Sequence, residues 1–96
     1  MHTILKYTLD ITQIQQVELP YDAEILTAMN LNGRICIWAK VNMETMRLDH
    51  VEPRNIYVIV TGNPMPEAEM RYISTVIMNM GTAFNITIFH VFEEIH

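Results

Sequence analysis

Met29–Val41 reads MNLNGRICIWAKV, and this stretch decides the fold class. Asn-Gly between two apolar runs signals a β-hairpin, because both residues tolerate the positive φ of a type I′ turn. With Asn32-Gly33 as the two-residue loop, Leu31 pairs with Arg34 and the register follows. Met29 then lies opposite Cys36, Ala28 opposite Ile37, Thr27 opposite Trp38, Leu26 opposite Ala39 and Ile25 opposite Lys40. Side chains alternate between faces along a strand. One face of the hairpin therefore carries Ile35, Ile37, Ala39 and Val41 with Leu26. The other carries Cys36 and Trp38 with Ile25, Met29 and Leu31. Both faces are largely apolar, whereas an antiparallel sheet with one solvated side shows a polar outer face. Such a hairpin needs cover on both sides, from the domain's own second layer or from another subunit.

The flanking sequence continues the β pattern. TILKYTLDI, from Thr3 to Ile11, is rich in β-branched and aromatic residues and reads as a strand. QIQQVELP supplies Ile14, Val17 and Leu19 to a second strand, which Pro20 ends because it has no N–H for a ladder. Asn42 to Asn55 is polar and is expected to be the longest loop. Ile56–Val60, IYVIV, is continuously apolar and suits a central strand. Residues 66–80 carry two signals. Met70, Ile73, Ile77 and Met80 fit helical spacing, with Pro66 before them and Gly81 after them. YISTVIM, Tyr72 to Met78, instead has high β-propensity, and a strand there is the favoured reading. In the final run Phe84, Ile86, Ile88, His90 and Phe92 share one face, and Asn85, Thr87, Phe89, Val91 and Glu93 the other. The expectation is a mainly β single domain over residues 1–96, a small antiparallel barrel or sandwich of about seven short strands, with room for one short helix near 66–80.

Composition narrows the function classes. Half of the 96 residues are hydrophobic, and the charged fraction is 18%, which leaves few charges to solvate the surface. The net charge is −5, so the basic footprint of a nucleic-acid binder is missing. The acids are scattered rather than arrayed. One cysteine excludes an internal disulfide framework and suits a reducing compartment. No apolar run approaches the ~18 residues of a membrane-spanning helix. The N-terminus, MHTILKYTLD, lacks the charged leader and long apolar segment of a signal peptide, so the cytoplasm is the expected location.

The order of the blocks ILKYTLDIT, VELPYDAEILTAMNLNGRICIWAKV, IVTGNPMP, YISTV and FHVFEE resembles a family of small uncharacterised bacteriophage and prophage proteins, a domain of unknown function. Its members show K-Y-x-L-x-I-T, then E-L-P, I-L, N-G and C-L-W-A, then T-G-H-P-I-P, Y-I-G-T and W-H-V-F-E. The resemblance spans nearly the whole chain. Asn63 stands where the family pattern has His, and Ser74 where it has Gly. The resemblance implies a phage gene and a strand at Tyr72; it implies no particular chemistry.

The usual chemical constellations are missing from the sequence. His2, His50, His90, His96 and Cys36 have no metal-ligand spacing among themselves. His90 reads as a partly buried strand histidine whose ring nitrogens are satisfied by neighbours. Cys36, mid-strand among Ile35, Ile37 and Trp38, reads as a small core hydrophobe rather than a nucleophile. Ser74 is the only serine and stands in no G-x-S-x-G. Gly33, Gly62 and Gly81 are far apart, so no phosphate-cradling loop is formed. No cofactor, metal or catalytic residue is expected. Eight methionines are unusual for this length, and Met and Arg are enriched at interfaces. Met43, Met46, Arg47, Asp49, His50, Arg54 and Met65 form the expected partner-binding set. The expected function is a small non-enzymatic phage accessory protein that binds a host protein, as an inhibitor of a host defence system. The alternatives are an oligomeric binder of a small ligand such as a nucleotide signal, and a structural, self-associating accessory protein.

Overall fold

The structure is a computed structural model and describes residues 1–81 and 85–95. Among the described residues seven strands form two antiparallel sheets that face each other as a sandwich, with no closed barrel. The strands are β1 His2–Thr8, β2 Ile14–Pro20, β3 Glu24–Leu31, β4 Arg34–Asn42, β5 Val51–Val60, β6 Met70–Asn79 and β7 Ile86–Glu94. One short helix, α1 Met43–Arg47, links β4 to β5. The three-stranded sheet has the order β1-β4-β3 and the four-stranded sheet β2-β5-β7-β6.

The Asn32-Gly33 turn is where the sequence places it. Asn32 and Gly33 have φ of 52° and 83°, as a type I′ turn requires. The Asn30 side chain accepts from the Gly33 N–H at 2.9 Å, which closes the turn. The expected pairs hold from Leu31–Arg34 to Thr27–Trp38. A bulge then intervenes, and Ile25 pairs with Ala39 rather than Lys40. A bulge inserts one unpaired residue, and here that residue is Leu26. The expected faces of these two residues are thereby exchanged. Ile25 enters the core at 1% exposure, and Leu26 is turned out at 41%.

The core lies between the sheets. Ile25, Ala28, Ile35, Ile37, Ala39 and Val41 from one sheet meet Leu19, Ile56, Val58, Val76, Met78, Phe89 and Val91 from the other. Leu5, Tyr7 and Val17 pack against this core but stay partly exposed, because β1 and β2 form the open side of the sandwich. The opposite side is drawn together at β3 and β6. There the Asn30 side chain donates to the Ile77 carbonyl and Arg71 to the Ile25 carbonyl, each at 3.2 Å.

The strand favoured at Tyr72 to Met78 is present as β6, Met70–Asn79, and the short helix for which the sequence left room near 66–80 is not there. A bulge between Tyr72 and Ser74 breaks the two-residue alternation there. Met70, Ile73, Ile77 and Met80 do not share a face, because Ile77 and Met80 are exposed and Ile73 packs on the core. The helix stands instead inside the expected loop of residues 42–55, where the Asn42 side chain caps it by accepting from the Glu44 N–H at 3.0 Å. The same loop also loses its second half to β5, which begins at Val51 rather than Ile56. Pro53 is tolerated because β5 pairs with β7 only from Ile56 onward, so no ladder bond is lost on that side. In β7, Phe89, Val91 and Glu93 face inward and His90 and Phe92 outward, as their alternation predicts. Phe84 and His96 lie outside the described residues.

Candidate functional site

The expected binding set is only partly brought together. Met43, Met46, Arg47, Asp49 and His50 belong to α1 and the turn after it. Met46, Arg47, Asp49 and His50 are exposed, whereas Met43 packs on the core. Arg47 pairs with Glu44 one helical turn away, at 2.7 Å. Asp49 has a φ of 57°, a left-handed conformation that Asp tolerates, and it turns the chain into β5. Asp49 and His50, with Tyr21 and Val51, line a shallow depression of about 430 Å³. Met65 is exposed in the connection between β5 and β6, a separate element.

Arg54 differs from the rest of the set. It is buried in β5, and its guanidinium is already committed. Its Nε donates to Glu93 of β7, and its Nη1 donates to the Ala23 carbonyl at 2.9 Å and to Glu52 at 3.2 Å. Arg71 of β6 donates to the other Glu93 oxygen at 2.9 Å. One buried carboxylate thus holds two guanidiniums, and both guanidiniums reach across to carbonyls at or beside β3. Burial alone would raise the Glu93 carboxyl, but the bonds from Arg54 and Arg71 outweigh it and hold the group below the usual carboxylate range. Asp22, Glu52, Glu94 and these three residues line a depression of about 470 Å³ at this end of the sandwich. The cluster ties the sheets together, and its arginines are occupied rather than poised for an anion.

The outer face of the four-stranded sheet carries a hydroxyl–imidazole chain. His90 Nε2 lies 2.7 Å from Thr61 Oγ1, and His90 Nδ1 lies 3.1 Å from Thr75 Oγ1. Thr75 in turn lies 2.6 Å from the Tyr72 hydroxyl. Both ring nitrogens are satisfied, as the sequence predicts, and neither partner is a carboxylate that would orient the ring as a general base. Cys36 is buried with Thr8 Oγ1 at 3.7 Å. Among the described residues no three His, Cys, Asp or Glu side chains are grouped as a metal site.

The outer face of the three-stranded sheet is different. Strand parity puts Arg34, Cys36, Trp38 and Lys40 of β4 on it, with Ile4 and Lys6 of β1 and Thr27, Met29 and Leu31 of β3. The four-stranded sheet covers only the opposite face, so of the two covers expected for the hairpin's second face, the domain's own second layer and another subunit, the first is not what covers it. Trp38 is half-buried, while Ile4, Met29 and Leu31 are exposed, Met29 at 54%. Lys6, Arg34 and Lys40 are three of the six basic residues in a chain of net charge −5. Glu24, opposite Lys40 and exposed, is on the same face, so an apolar centre stands within a surround of three bases and one acid on an otherwise acidic molecule. The signal for it lay in β4 itself, where Arg34 and Lys40 share the parity of Cys36 and Trp38.

Over residues 1–96 the chain matches the model of a family described as a domain of unknown function (DUF7352). The chain belongs to that family. No curated protein matches it, and no solved structure matches it. Among the described residues no helix of this DUF7352 domain is long and apolar enough to cross a membrane.

Proposed function

We propose that this DUF7352 chain is a small non-enzymatic accessory protein of a bacteriophage that binds a host protein in the bacterial cytoplasm and inhibits it, a component of host defence being the expected target. The outer face of the three-stranded sheet carries the reading. Trp38, Met29, Leu31 and Ile4 give it the aromatic and Met content of an interface centre, and Lys6, Arg34 and Lys40 surround them, with Glu24 opposite Lys40 the one acid among them. A partner surface that is apolar at its centre and acidic at its rim is the chemical complement. The phage assignment rests on the motif resemblance of the chain. The non-enzymatic reading is supported by His90, whose ring is held by threonine hydroxyls, and by Cys36, which is buried. A small-ligand binder receives less support, because Arg54 and Arg71 are engaged with Glu93. The test is capture of partners from bacterial lysate by the tagged chain, with native mass spectrometry of the eluate. One host protein at fixed stoichiometry is the expected result; recovery of the chain alone would overturn the reading.

A further inference from the structure

The sandwich has four edge strands, and they are not equally protected. Exposed edges are templates for pairing, and proteins blunt them with bulges, prolines, charges or covering elements. β3 and β6 each carry a bulge, and the Asn30 and Arg71 bonds hold these two edges against each other. β2 ends in Pro20 and carries the exposed Glu18. β1 pairs with β4 without interruption over His2–Thr8, has no proline or bulge, and carries one charge, Lys6.

The parity of β1 is fixed by its neighbours. Leu9 N–H donates to the Ile35 carbonyl, and Met43 N–H donates to the Met1 carbonyl, both at 2.8 Å. In an antiparallel pair, hydrogen-bonded and non-hydrogen-bonded residue pairs alternate. The odd-numbered residues of β1 therefore bond to β4. The backbone N–H and C=O groups of His2, Ile4, Lys6 and Thr8 point to the open edge, where no described residue pairs with them. We propose that this edge is a docking site for β1 of a second copy of the chain, paired antiparallel about a two-fold axis at Leu5.

That register is self-complementary. Leu5 is the midpoint of the strand, so His2 faces Thr8 of the second copy, Ile4 faces Lys6, and Leu5 faces Leu5. Every outward backbone group of the strand then finds a partner, because even-numbered residues meet even-numbered residues. Moving the axis to Lys6 would set two lysines opposite each other, which is unfavourable. The pairing also brings a second chain beside Leu5, Tyr7 and Val17, the partly exposed margin of the core. The result is a six-stranded sheet across two molecules. This inference uses the β1 edge and stands independently of partner binding by the sheet face.

The test is the mass of the full chain in solution across a concentration series, with circular dichroism to confirm folding. The expected result is a species of twice 11.2 kDa that dissociates on dilution. Ile4→Pro removes an N–H that points to the open edge and none that bonds to β4, so it should give a folded monomer. Ile4→Lys faces Lys6 of the second copy in both symmetric pairs and should weaken the dimer roughly tenfold, whereas Ile4→Glu should tighten it. A wild-type chain that stays monomeric at all concentrations would overturn the proposal. So would a folded Ile4→Pro variant that remains dimeric. Should Ile4→Pro fail to fold, equal dimerisation of the Lys and Glu variants would overturn it.

Discussion

Arg54 of β5 is hydrogen-bonded to Glu93 of β7, and the two side chains are only 10% and 7% exposed. Removing one member of a buried pair strands the other charge, which costs about 3–5 kcal/mol. Glu93→Gln should therefore lower the unfolding free energy by that amount, measured by urea denaturation. Glu44→Gln, in the exposed pair with Arg47, should change it by less than about 0.5 kcal/mol. Equal effects would mean that the buried cluster does not join the sheets.

The same cluster predicts an acid limit. The folded Glu93 carboxyl lies below its ordinary value of 4.5, held there by Arg54 and Arg71 against its burial. A depressed carboxyl stabilises the fold above the unfolded pKa, and this contribution is lost as pH falls through the folded pKa. Stability should be level above the ordinary carboxyl range and should fall as pH drops below it. Glu93→Gln should flatten that fall. Thermal unfolding of both proteins across this range is the measurement, and an unchanged slope would contradict the assignment.

The bulge in β3 makes opposite predictions for two adjacent residues. Ile25→Ala removes a buried side chain and should cost about 2–5 kcal/mol. Leu26→Ala removes an exposed one and should cost within about 0.5 kcal/mol. An uninterrupted hairpin register would reverse this order, so a comparison of denaturation midpoints decides it.

Trp38 tests whether the second face of the hairpin is open. A fully buried Trp loses about 3–5 kcal/mol on truncation to Ala. Trp38 is half-buried, and Trp38→Ala should cost about 1–2 kcal/mol. As the only tryptophan, it should also be quenched by acrylamide in the isolated chain. A shielded Trp38 with a large stability loss would show a covered face.

The fold was legible wherever local rules acted alone. Asn32-Gly33 announced its turn, and the alternation through Phe89, Val91 and Glu93 announced the inward face of β7. It was obscured where one extra residue breaks a period. The bulges at Leu26 and beside Ile73 moved side chains between faces, and alternation cannot register an insertion before the pairing partner is known. α1 escaped notice because five residues are too few for a helical period. The candidate site was legible in the same uneven way. Met46, Asp49 and His50 are on the surface as expected. Arg54 is not, because its role depends on Glu93, 39 positions later. The basic surround of Trp38 required Lys6 of β1 to be placed beside β4, which only the sheet order supplies.

The central claim is that the outer face of the three-stranded sheet binds the partner. The most direct measurement is quantitative capture from bacterial lysate by the wild type, by Met29→Glu with Leu31→Glu, and by Met46→Glu in α1. The claim predicts one stoichiometric protein with the wild type and with Met46→Glu, and its loss from the double variant while that variant stays folded. Undiminished capture by the double variant would contradict it.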